Sequence, residues 1–128
     1  MIIKRGDIVM ADMQEVSCGS IQKYRRPYLI ISNNKANMYS PVVTAVALSS
    51  KTWKKAYLPV HCIIRKDCIK TIKEDFGVRD SVALCEQIVS IDKSQIEEVV
   101  ARVTNRNTMK YLNRCIRNQV GLNNQFNK

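Results

Sequence analysis

The chain has 128 residues, enough for one domain with a buried core and too few for two, and its 45% apolar content is that of a globular protein rather than a disordered one. A formal net charge of +10 predicts attraction to polyanions that weakens as salt rises. The longest apolar run, Pro41 to Leu48, is only eight residues, and Met1 to Asp7 lacks the features of a cleaved signal segment, so a cytoplasmic protein with no membrane span is expected.

The first two-thirds read as short strands. Asp7 to Met13 opens after a Gly6-Asp7 turn signal and is mostly apolar. Pro27 to Ser32 and Val42 to Leu48 are apolar runs bounded by Asn, Ser and Pro, as buried strands tend to be, and Tyr57 to Ile64 and Ser81 to Val89 are similar. Ser32 to Asn37, Ser49 to Lys55 and Arg65 to Arg79 read as loops. Two helices are then expected. Asp92 with Gln95 forms a capping-box pattern, and Ile96, Val99, Val100 and Val103 fall at helical spacing. A second helix is predicted from Thr108 to Val120, with Met109, Leu112, Ile116 and Val120 inward and Lys110, Arg114 and Arg117 outward. The Asn-rich end, Gly121 to Lys128, is expected to fray. The chain therefore reads as a single domain, mainly β with C-terminal helices: a small curled sheet or barrel over residues 1–91, capped by helices over 92–120.

The five cysteines (Cys18, Cys62, Cys68, Cys85, Cys115) are odd in number and contain no CxxC pair, so they read as reduced, small apolar side chains. A single histidine and no acidic cluster give no ligand set for a metal, and no glycine-rich phosphate loop points to a nucleotide. His61 and Cys62 are adjacent on a strand and face opposite ways, which argues against a Cys-His pair. No metal and no cofactor are expected.

What remains is positive charge and hydroxyls. Tyr24-Arg25-Arg26-Pro27 runs straight into the strand Tyr28 to Ile31, setting two guanidinium forks on a stiff mount suited to phosphate. RNA brings its own nucleophile, the 2′-OH, so a ribonuclease needs only in-line alignment and stabilisation of charge on the phosphate oxygens. Arg25 or Arg26 supplies the charge, and Ser49-Ser50, at the end of the Val42 strand, supplies a hydroxyl. Lys23, Tyr24 and Arg25 combine charge with an aromatic ring, the mix that grips single strands. Trp53 among Lys51, Lys54 and Lys55 repeats that mix. His61, in an apolar strand, reads as a structural histidine before an RNA contact, and Gln87 as a base reader or a backbone partner.

Several segments resemble the MazF/PemK toxins, in order and spacing across roughly residues 1–93. They are Lys4-Arg5-Gly6-Asp7-Ile8-Val9, Arg26 to Asn33, Ser40-Pro41, Leu58-Pro59-Val60-His61, Arg79-Asp80-Ser81-Val82, Glu86-Gln87-Ile88 and Ile91-Asp92-Lys93. The resemblance implies a homodimeric, SH3-like barrel acting as a metal-independent, sequence-specific endoribonuclease on single-stranded mRNA. It implies 2′,3′-cyclic phosphate and 5′-hydroxyl ends, and neutralisation by a cognate acidic antitoxin. The family's arginine before the proline falls on Arg26, and its hydroxyl, eight residues past the Ser-Pro proline, falls on Ser49, where threonine is usual. Ser50 remains a rival. The family's first loop commonly carries an acid where this chain has Ile21, and glycines where it has Lys23 and Tyr24. The basic C-terminal face reads as a solvated surface or a landing site for acidic antitoxin segments. Two alternatives stand: a non-catalytic basic RNA-binding barrel, and a gyrase-poisoning toxin of the CcdB type. The second depends on an aromatic C-terminal end, and this chain ends Gln125-Phe126-Asn127-Lys128.

Overall fold

In the computed structural model, the structure describes residues 1–13, 25–51 and 58–123. Seven strands form one antiparallel sheet: β1 (Asp7–Asp12), β2 (Arg25–Ile30), β3 (Val42–Ser49), β4 (His61–Ile64), β5 (Ile69–Thr71), β6 (Ser81–Asp92) and β7 (Ile96–Val103). Their spatial order is β4-β6-β3-β2-β1-β7-β5. Alternate residues of the same strands enter two cores. Ile8, Leu29, Val46, Cys62, Ala83 and Ala101 face α2 (Arg106–Gln119), where Leu112 and Cys115 meet them. Val9, Tyr28, Ile30, Ala45, Leu84 and Ile91 pack on the opposite face. With both faces buried, the strands read as apolar runs rather than as clean alternation.

The sheet bends where its register slips. On β6, Leu84 pairs with Ala47 and Ile88 with Val46, so Cys85, Glu86 and Gln87 form a bulge opposite a single step of β3. Gly6, at φ +95°, turns the chain into β1, donates its N–H to Ile30 and accepts from Val103, a backbone conformation that side-chain-bearing residues rarely adopt.

Four expectations are corrected. Residues 96–103 are a strand, β7, and not a helix. The capping box is present, with Asp92 accepting from Ser94 N and donating its own N–H to Gln95 Oε1, but it closes a single 3-10 turn, Lys93–Gln95. The segment is rich in β-branched residues, which favour strands. Against β1 it carries extra residues at Glu97 and Val100, and these two slips shift its apolar positions onto a helix-like spacing. The loop from Ser32 contains a short helix, α1 (Asn34–Tyr39), whose cap is Asn33, accepting from Ala36 N. The stretch from Arg65 to Arg79 contains β5 and a 3-10 turn, Lys66–Cys68. The C-terminal helix stands where it was expected, capped by Asn105, but Val120 is 52% exposed and Cys115 takes its place in the core. Among the described residues no helix is long and apolar enough to cross a membrane.

Candidate active site

β2 and β3 pair antiparallel through Tyr28↔Ala47, Leu29↔Val46 and Ile30↔Ala45. Continuing this register two residues toward the strand ends sets Arg26 opposite Ser49. Alternation puts both on the face that carries Tyr28 and Ala47. The two residues lie far apart in the chain, and the pairing of β2 with β3 sets them at the same end of the sheet.

Arg26 and Ser49 border one cleft of about 200 Å³, together with Pro27, Leu48, Ser50, Phe76, Arg79 and Ser81. Arg26 is half-buried, and its Nε makes no hydrogen bond despite being shut from solvent. Its charge is felt nearby: burial pushes the Tyr28 phenol above its ordinary value, the guanidinium pulls it down, and Asp12 pushes it up. Ser49 is 5% exposed, and its Oγ accepts from Lys51 N at 3.2 Å. That bond fixes the oxygen and leaves the hydroxyl proton free to donate. Ser50 and Lys51 are exposed beside it.

The structure does not bring every expected residue to this cleft. Arg25 points to the other side of β2, where its Nε lies 2.5 Å from Glu97 Oε1. It borders a separate cleft with Lys73, Asp75 and Glu98, on the far side of Phe76. His61 is 1% exposed, with Nε2 2.5 Å from Glu86 Oε2, and its carbonyl accepts from Tyr111 Oη at 3.2 Å. A ring so enclosed fits the structural role read from its apolar strand and does not present itself to a polymer at the surface. Gln87 is half-buried in the β6 bulge. Lys23, Tyr24 and Trp53 lie outside the described residues.

Sequence reasoning missed Arg79. It is an exposed cation on the same cleft as Arg26, and its carbonyl accepts from Ser81 Oγ at 2.9 Å. The available signal was its place just before β6, as Arg26 stands at the start of β2. Among the described residues no group of three His, Cys, Asp or Glu side chains is placed to hold a metal ion. The cleft therefore offers two guanidinium groups and two or three hydroxyls, a set suited to a phosphodiester.

Comparison with known proteins gives a consistent result. Residues 4–120 match the model of the PemK-like, MazF-like toxins of type II toxin–antitoxin systems. The chain is 36% identical over 121 residues to Endoribonuclease MazF of Staphylococcus saprophyticus, covering 94% of this chain and 93% of that protein. The fold is similar to MazF of Deinococcus radiodurans, with a TM-score of 0.68 at 17% identity over 94% of this chain and 98% of that one. It is also similar to a mycobacterial endoribonuclease solved with its cognate antitoxin, with a TM-score of 0.65 at 21% identity over 94% and 97% of the two chains.

Proposed function

Because the chain belongs to the PemK-like, MazF-like toxins of type II toxin–antitoxin systems, we propose that it is an endoribonuclease whose cutting site is the cleft where Arg26 faces Ser49. The observation that supports the site is that one cleft is bordered by Arg26, whose Nε is the one unpaired buried guanidinium nitrogen among the described residues, and by Ser49, whose hydroxyl oxygen accepts from Lys51 N. The substrate is single-stranded RNA, in which each 2′-OH can be turned in line with its own phosphorus.

In this reading the 2′-hydroxyl gives its proton to water as its oxygen attacks phosphorus, and the bond to the 5′-oxygen breaks as that oxygen takes a proton from water, giving a 2′,3′-cyclic phosphate and a 5′-hydroxyl. Arg26 stabilises the charge that grows on the non-bridging oxygens, where a fixed cation is worth most. It does not act as a base, because a guanidinium with a pKa above ~12 is almost never deprotonated at neutral pH. Ser49 donates its free proton to a phosphate oxygen and holds the group in line. Arg79 adds a second cation on the same cleft. No step in this chemistry calls for a metal. Ser50 and Lys51, exposed beside Ser49, contact flanking nucleotides, as do Lys23, Tyr24 and Trp53 on the sequence argument alone.

A cognate antitoxin neutralises the enzyme by this account, as expected for a toxin of this kind, and its acidic segments suit the +10 charge. Two copies pair as a dimer, for which the exposed side chains Met1, Ile2, Met38, Tyr39 and Val42 offer apolar surface. The site is tested by comparing Ser49→Ala with Ser50→Ala. Ser49→Ala is expected to lower cleavage by about 10²-fold with Ser50→Ala close to wild type; the reverse order would move the hydroxyl to Ser50.

A further inference from the structure

We propose that the outward face of α2 is a second, non-catalytic contact that grips the phosphate backbone of single-stranded RNA away from the cut. This rests on the reading of the chain as an endoribonuclease. Arg106, Lys110, Arg114 and Arg117 fall at i, i+4, i+8 and i+11, one stripe along a regular helix, and all four are exposed. The opposite side of the same helix is the one buried against β4 and β6 through Leu112 and Cys115. Successive charges rise by about 6, 6 and 4.5 Å, steps comparable with that between phosphates of an extended strand.

The stripe is not neutralised from within the fold. No ion pair among the described residues engages any of the four, whereas Arg25, Lys73 and Arg102 are each held by a carboxylate. From Ala101 to Lys128 the sequence contains no Asp or Glu at all. Four like charges on one helix face repel one another and weaken the helix unless something outside compensates them. A polyanion does so, releasing its own condensed counterions as it binds. A continuous row of point charges suits the continuous charge of a nucleic-acid backbone, which can follow the whole stripe.

The helix is also firmly mounted, as such a contact requires. Asn118 Nδ2 donates to the Pro59 carbonyl at 2.9 Å, Tyr111 Oη to that of His61, and Arg5 Nη2 to Asn113 Oδ1 at 2.6 Å. The consequence is that a long RNA is held at two places, and the enzyme works better on it than on a fragment that only fills the cleft.

The test uses a variant with all four basic residues replaced by Gln, and a charge-retaining control carrying Arg106→Lys, Arg114→Lys and Arg117→Lys. Binding of a long, unstructured RNA is measured against salt in an Arg26→Ala background, and cleavage is measured on the long RNA and on an oligonucleotide that only spans the cut. The Gln variant is expected to reduce the salt slope by about 3, at ~0.7 for each single-strand phosphate contact. Its KM for the long RNA should rise roughly tenfold, so that the advantage of the long substrate disappears, and the Lys control should keep both. An unchanged slope would overturn the proposal. So would equal losses in both variants, which would indicate damage to the helix, or loss of poly-glutamate binding with RNA binding intact, which would assign the face to an acidic protein. Failure of the parent chain to cut either RNA would instead count against the endoribonuclease reading, and the slopes would still decide the α2 contact.

Discussion

Replacing Arg26 by Met separates a catalytic arginine from a structural one. A structural arginine at the start of a strand would be held by a carboxylate, and its loss would destabilise the fold. Arg26 is placed otherwise: its Nε is buried without a hydrogen bond, and no ion pair among the described residues includes it. An unpaired buried donor costs about 1–3 kcal/mol, and the lower end applies to a half-buried side chain. Methionine keeps the length and packing of the aliphatic stem and removes the donor. Arg26→Met is therefore expected to raise the free energy of unfolding by about 1 kcal/mol, and the melting temperature by roughly 4 °C for a chain of this size. Cleavage should fall by about 10²- to 10³-fold, as when a preorganised charge is removed from a developing oxyanion. Urea unfolding, with the denaturant dependence checked to be the same in both proteins, gives the first number, and initial rates on a defined RNA give the second. A loss of ~1 kcal/mol or more with cleavage retained would refute the reasoning and make Arg26 a structural residue.

Two further outcomes test the scaffold. Asp7 is fully buried and accepts from Lys4 N at 2.9 Å and Arg102 Nε at 2.6 Å, so Arg102→Ala should cost about 2 kcal/mol by chemical denaturation, since it strands a buried carboxylate. A change under about 0.5 kcal/mol would show that water replaces the arginine. Cys62, Cys85 and Cys115 are sealed between α2 and the sheet; thiol–thiol hydrogen bonding and burial push Cys62 and Cys85 far above the ordinary thiol range, the same hydrogen bonds pull Cys115 down to about 4 so that burial alone shields it, and Cys68 is half-exposed. Alkylation of the native protein followed by peptide mass spectrometry should label Cys68 well before those three; equal rates would mean that α2 lifts from the sheet.

Much of this fold was legible because its strands announce themselves as apolar runs between Asn, Ser and Pro clusters. The failures have physical causes. Ile96 to Val103 kept a helical spacing only because two bulges against β1 displaced its apolar residues, and no sequence window reveals a partner strand's register. Asn33 and Asn34 looked like a turn because the residue type that caps a helix is also the type that makes loops. At the site, Arg26 and Ser49 could be named from local pattern and family resemblance, but that both border one cleft is a property of the folded sheet. Arg79 was passed over because it reaches the cleft across a loop, with no periodic signal around it. Arg25, adjacent to Arg26 in sequence, proved to be its opposite in space, since neighbours on a strand face different ways.

The central claim is most directly tested by incubating the purified chain with a long single-stranded RNA of known sequence in EDTA, without ribosomes, and mapping the fragment ends. The account predicts discrete cuts at a short recurring motif, each leaving a 5′-hydroxyl and a 2′,3′-cyclic phosphate, and none with Arg26→Ala. RNA that stays intact while binding tightly in a salt-sensitive way, or cutting that appears only when a divalent metal is restored, would contradict it.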